Sequence, residues 1–178
     1  MAVIDPRYGY EDLLAMPDDG NRHELVEGDL LVSPVPNRRH QRIVWNLVRL
    51  FGRLEERGLG QGYVAPFDVV LDWHTVFEPD VLFIRTERLD IVTERNVSGA
   101  PDLVVEVLSE STRDADLGPK LRAYGRHGVG EYWVTDPDAN TVQVFRREGE
   151  VFVEAGTVGL GDELTFLGAV LKVDDILS

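Results

Sequence analysis

The chain contains no cysteine and, beside sixteen arginines, only two lysines. Without cysteine it can form neither disulfides nor thiolate metal sites. No run approaches eighteen apolar residues, so no membrane-spanning helix is expected. Met1-Ala2-Val3-Ile4-Asp5 lacks a basic stretch followed by an apolar core. No secretory leader is therefore expected, and cytoplasm is the expected compartment. There is no phosphate-binding glycine loop and no Gly-x-Ser-x-Gly elbow. The four histidines show no zinc spacing. Asp136-x-Asp138-x-Asn140 opens like a calcium loop, but Thr141 stands where glycine is needed and Arg147 where the final glutamate belongs. That stretch reads as a hairpin turn. Positive charge is also scarce: the net charge is -14. An acidic surface repels phosphate and argues against non-specific coating of nucleic acid, while leaving room for a local basic groove.

The 178 residues, 43% hydrophobic and 28% charged, suit one soluble globular domain spanning 1–178. Tyr10 to Met16 reads as a short helix closed by Pro17. His23 to Val26 and Leu30 to Val32 flank Glu27-Gly28-Asp29, a hairpin signal. Asn37 to Arg57 is predicted as the longest helix, because Ile43, Leu47, Leu50, Phe51 and Leu54 recur at three- and four-residue spacing before Gly58. Strands are expected at Gly62 to Ala65, Phe67 to Asp72, Asp80 to Ile84 and Leu103 to Leu108. A second helix is expected from Asp116, as N-cap, to His127, with Gly128 ending it. Three more strands follow at Glu131 to Thr135, Thr141 to Arg147 and Val151 to Ala155, and Leu171 to Leu177 reads either way. The fold class is α/β of the α+β kind, a mixed and mostly antiparallel sheet flanked by helices.

Three residues carry the chemistry. Asp80 heads the strand-like Pro79-Asp80-Val81-Leu82-Phe83-Ile84, and Glu106 interrupts the otherwise apolar Leu103-Val104-Val105-Glu106-Val107-Leu108. A buried carboxylate needs a cation, a metal or a donor. Lys120 lies on the following helix, four residues from Tyr124 and on the same face. Where arginine is so strongly preferred, a lysine hints at a job for a compact point charge of tunable pKa. Taken singly, each has a plain structural explanation: turn chemistry for Asp80, an ion pair for Glu106, a solvated helix position for Lys120. Arg42, Arg49, Arg53 and Arg57 flank the apolar stripe of the long helix and read as a solvated face.

The order Asp80, Glu106, Lys120, Tyr124 resembles the PD-(D/E)XK nuclease superfamily, and within it the Uma-type restriction endonuclease family. The matching text includes His23-Glu24-Leu25-Val26-Glu27-Gly28, Glu78-Pro79-Asp80-Val81-Leu82-Phe83, Ala100-Pro101-Asp102-Leu103-Val104-Val105-Glu106, Lys120-Leu121-Arg122-Ala123-Tyr124 and Glu131-Tyr132-Trp133-Val134-Thr135-Asp136-Pro137. It runs from about Tyr10 to Leu177. The resemblance implies a restriction-endonuclease-like core and a Mg²⁺- or Mn²⁺-dependent nuclease acting on nucleic acid, DNA foremost. It assigns Asp80, Glu106 and Lys120 as catalytic, and Asp80, Glu106 and the Val107 carbonyl as metal ligands. Glu24, Tyr124 and His40 are implied as supporting residues. The chain departs from the superfamily where lysine usually stands two residues after the second acid. Here that position is Leu108, so Lys120 must substitute from the next helix. That departure and the acidic charge favour a first alternative, a non-catalytic nucleic-acid-binding or regulatory module that keeps the fold; a second is a metal-dependent hydrolase of another phosphate ester. A homodimer is expected only in that two-fold dimers are the commonest oligomers.

Overall fold

A computed structural model describes residues 7–178. Met1 to Asp5, considered above as a leader, lie outside the described residues. The elements in chain order are α1 Tyr10–Leu14, β1 Arg22–Val26, β2 Asp29–Ser33, α2 Arg38–Glu56, β3 Gly60–Val64, β4 Asp68–Asp72, β5 Thr75–Phe77 and β6 Val81–Arg85. A 3-10 turn at Thr86–Ile91 leads to β7 Asn96–Ser98 and β8 Leu103–Val107. Then come α3 Arg113–Ala115, a π-helical turn Asp116–Lys120 and α4 Leu121–His127. The chain closes with β9 Glu131–Asp136, β10 Thr141–Glu148, β11 Val151–Gly159, β12 Glu163–Phe166, β13 Ala169–Lys172 and α5 Val173–Leu177.

Among the described residues a six-stranded sheet, β11-β10-β9-β8-β6-β3, stands against a five-stranded one, β2-β1-β5-β4-β7. Most pairings are antiparallel. The exceptions are β4 with β7 and β8 with β9. Parallel neighbours need a crossover, and the helical segment between β8 and β9 supplies it. Strand alternation builds two cores. Val81, Phe83, Leu103, Val105 and Val107 point to the side covered by α2, where Ile43, Leu47, Leu50, Phe51 and Leu54 pack. Leu82, Ile84, Val104 and Tyr132 point the other way, against Ala123 and Tyr124 of α4 and Val26, Val69 and Phe77 of the second sheet. Because both faces are covered, β8 is buried at every position, which explains its continuous apolar text.

Local chemistry sets the element ends. The β1–β2 hairpin pairs Val26 with Asp29, leaving Glu27 and Gly28 at φ 52° and 89°. Two positive φ values in a two-residue loop define the turn that matches strand twist, and glycine fills the second without strain. Asn37 caps α2, its side chain accepting from the His40 amide at 3.0 Å. The second helix differs from expectation. It begins at Arg113, so Asp116 is not its N-cap, and Pro119 lies inside the helical run. Proline lacks an amide hydrogen and its ring crowds the carbonyl four residues earlier, so the helix widens into a π turn there. Gly128, at φ 100°, ends α4 as expected.

Candidate active site

β6 and β8 place the two acids. Their register pairs Val81 with Val105 and Leu82 with Val104. Continuing it one step sets Asp80 opposite Glu106, on the face that carries Leu82 and Val104. The Val107 amide donates to Asp80 Oδ2 at 2.8 Å, and the Asp80 amide approaches Glu106 Oε2 at 3.4 Å. Each acid therefore sits on its neighbour's backbone.

Other elements bring the counter-charges. Arg22, on β1, donates to Asp80 Oδ1 at 2.9 Å and contacts Glu78 through Nε at 3.1 Å. His40 Nε2, in the first turn of α2, lies 2.9 Å from Asp80 Oδ2. Its Nδ1 is buried with no hydrogen-bond partner among the described residues. Lys120 comes off the π turn. Its Nζ lies 2.6 Å from Glu106 Oε1, 3.0 Å from Glu24 Oε1 and 3.3 Å from Asp116 Oδ1. Tyr124 donates its hydroxyl to Glu106 Oε1 at 3.1 Å while its ring packs on Phe77 and Tyr132.

Burial dominates the electrostatics. Glu24, Asp80, Glu106, Asp116 and Lys120 are each no more than 3% exposed. For Glu106, desolvation pushes the carboxyl up to about 8; Lys120 opposes this, and the charges of Asp116, Asp80 and Glu24 add to it. Burial also raises Asp116, again against Lys120. Asp80 goes the other way: burial would raise it, but the His40 hydrogen bond, the Arg22 charge and the Val107 amide outweigh that and hold it below the ordinary carboxylate value. Burial works against the Lys120 ammonium, yet Glu106, Glu24 and Asp116 keep its pKa well above the usual lysine value. The site is an ionised aspartate beside a glutamate that carries more negative environment than its cations balance.

A sequence profile of the Uma2 family, described as "Putative restriction endonuclease", matches residues 10–174. This chain belongs to the Uma2 family. Among solved structures it is similar to a "putative nuclease belonging to DUF820" from Anabaena variabilis ATCC 29413, with a TM-score of 0.77, 18% identity, and coverage of 95% of this chain and 97% of that one. At that identity the likeness speaks for the fold, which is restriction-endonuclease-like. Comparison with curated proteins gives no match.

In this Uma2 chain Asp80, Glu106, Val107, Lys120, Glu24 and His40 all line one cavity of about 380 Å³. Tyr124 reaches it through its bond to Glu106. Lys120 is not the solvated helix residue of its plain reading, and Glu24 is buried with it. Two members escaped the sequence reading. Arg22 alternates with Glu24 and so shares its strand face; that spacing was the available signal. Asp116 stands four residues before Lys120, helix-neighbour spacing hidden by its apparent role as a cap. The basic residues Arg42, Arg49 and Arg53 of α2, and Arg57 at its C-cap, lie exposed and outside these contacts.

The donor set suits a hard divalent cation. Four buried carboxylates (Glu24, Asp80, Glu106, Asp116) face two permanent cations, Arg22 and Lys120, and surplus negative charge is what such an ion offsets. No three histidine or acid side chains among the described residues form a ready ligand group. Beyond Asp80 and Glu106, the positions would fall to a backbone carbonyl and water, an arrangement Mg²⁺ accepts.

Proposed function

We propose that this protein is a Mg²⁺- or Mn²⁺-dependent nuclease that hydrolyses phosphodiester bonds in DNA. One observation carries the reading: Asp80, immediately before β6, lies against Glu106 and Val107 of the adjacent β8, with a buried lysine on Glu106, in one cavity. Asp80, Glu106 and the Val107 carbonyl are the ligands we assign. A divalent ion there would supply an acidified water and offset charge developing on the phosphorus oxygens. The protein's own groups do the rest. Arg22 and His40 keep Asp80 ionised and fix its orientation. Tyr124 fixes Glu106. Lys120 orients the attacking water or the scissile phosphate once a share of its carboxylate contacts is released. Ser109, Ser111 and Thr112 line the same cavity and offer hydroxyls to phosphate oxygens.

The test is cleavage of single- and double-stranded DNA and RNA with Mn²⁺. Wild type should cut DNA, and Glu106→Gln should not. Equal cutting by that variant removes the assignment. A second reading, a non-catalytic binding or regulatory module on the same fold, draws on Leu108 at the usual lysine position and on a Lys120 whose donors all meet carboxylates. A folded protein that takes up no Mn²⁺ favours that module.

A further inference from the structure

Lys120 has three N–H donors, and three carboxylates surround its Nζ: Glu106, Glu24 and Asp116. The first two belong to strands β8 and β1 and are fixed by the sheets. Asp116 alone rides on the same turn as the lysine. That turn is itself anchored, because the Tyr132 hydroxyl on β9 donates to the Asp116 carbonyl at 3.1 Å and the Asp116 amide donates to the Thr112 carbonyl at 2.9 Å.

This difference matters when a cation arrives. On the reading given above, Glu106 turns part of its charge toward a metal ion, and its pull on the ammonium falls. A lysine side chain is long and flexible. With Glu106 shared, its position depends on what remains. Glu24 and Asp116 both line the cavity with Lys120, but Glu24 holds the ammonium from a separate strand, whereas Asp116 keeps a fixed four-residue spacing to it on the same turn. The π turn that accommodates Pro119 carries both Asp116 and Lys120.

We propose that Asp116 is the positioning residue for Lys120, holding its ammonium at the cavity after Glu106 engages a metal ion. The inference rests on the nuclease reading but is tested apart from it. Only two lysines exist in the chain, and Lys172 is exposed. A slowly exchanging side-chain ammonium signal in ¹⁵N NMR is therefore assignable to Lys120. Removing Asp116 leaves Glu24 and Glu106 on the lysine, so Asp116→Ala should fold. Its Lys120 signal should persist without metal and broaden or vanish with saturating Mg²⁺, whereas wild type keeps it in both conditions. In the cleavage assay the same variant should lose roughly tenfold to a hundredfold in kcat, the scale of a small misplacement of a reacting group, with KM unchanged. Asp116→Asn, which keeps a hydrogen-bond acceptor, should fall between. A Lys120 signal in Asp116→Ala that survives Mg²⁺ as in wild type overturns the proposal, as does an unaltered kcat. A wild type that cuts nothing counts against the nuclease reading, and the NMR comparison still decides Asp116.

Discussion

The Lys120 ammonium meets Glu106 Oε1 at 2.6 Å inside the protein, with both side chains excluded from solvent. A buried pair of this kind is costly to form and more costly to break, because the survivor is left as an uncompensated charge. Lys120→Ala would leave three acids without their shared cation, and about 3–5 kcal/mol of stability should be lost. Denaturant unfolding measures it. The double variant Lys120→Met with Glu106→Gln should lose less than the sum of the two single changes, since the groups couple directly. Additive losses would mean that the contact carries little energy.

The raised Glu106 carboxyl gives the metal-free protein a pH signature. Its folded value is about 8, against an ordinary 4.5. An acid raised on folding holds its proton more tightly in the folded state, so its stabilising contribution is full below pH 4.5 and is lost as pH rises through about 8. With chelator present, the urea midpoint should fall across that window. Glu106→Gln should flatten the fall, and so should a divalent cation that favours the ionised carboxylate.

Asn37 links helix capping to the site. Its side chain satisfies the amide of His40, whose ring touches Asp80. Asn37→Ala should cost about 1 kcal/mol, and Asn37→Ser should recover most of it. A loss confined to stability, with Mn²⁺ affinity unchanged, would show that His40 is held by its own packing rather than by the cap.

Much of this was legible in sequence, for identifiable reasons. The long helix α2 was readable because Ile43, Leu47, Leu50 and Leu54 repeat at helical spacing, and β1–β2 because Glu27-Gly28 is turn chemistry. Asp80 stood out because it heads an apolar strand, and Glu106 because it interrupts one. β5 and β7 did not, because three residues carry no period and their strand character comes from pairing with β4. The helix after β8 was misplaced at its start because Pro119 resembles a first-turn proline, whereas a π turn absorbs it. Arg22 and Asp116 were missed because their importance arises from the meeting of β1, β8 and the π turn, and the spacings Arg22–Glu24 and Asp116–Lys120 gain meaning only through that non-local meeting. Leu108 keeps the strand face of Glu106 but belongs to the apolar cluster with Tyr124; the ammonium reaches Glu106 from the helix instead.

Titration calorimetry with Mn²⁺ on wild type and on Glu106→Gln tests the account at its centre, the carboxylate pair as a cation site. Wild type should take up the ion with a saturable heat, and Glu106→Gln, folded by circular dichroism, should show none or at least about tenfold weaker binding, a loss of about 1.4 kcal/mol. Saturable binding of equal affinity in both proteins, or no heat from folded wild type, would contradict it.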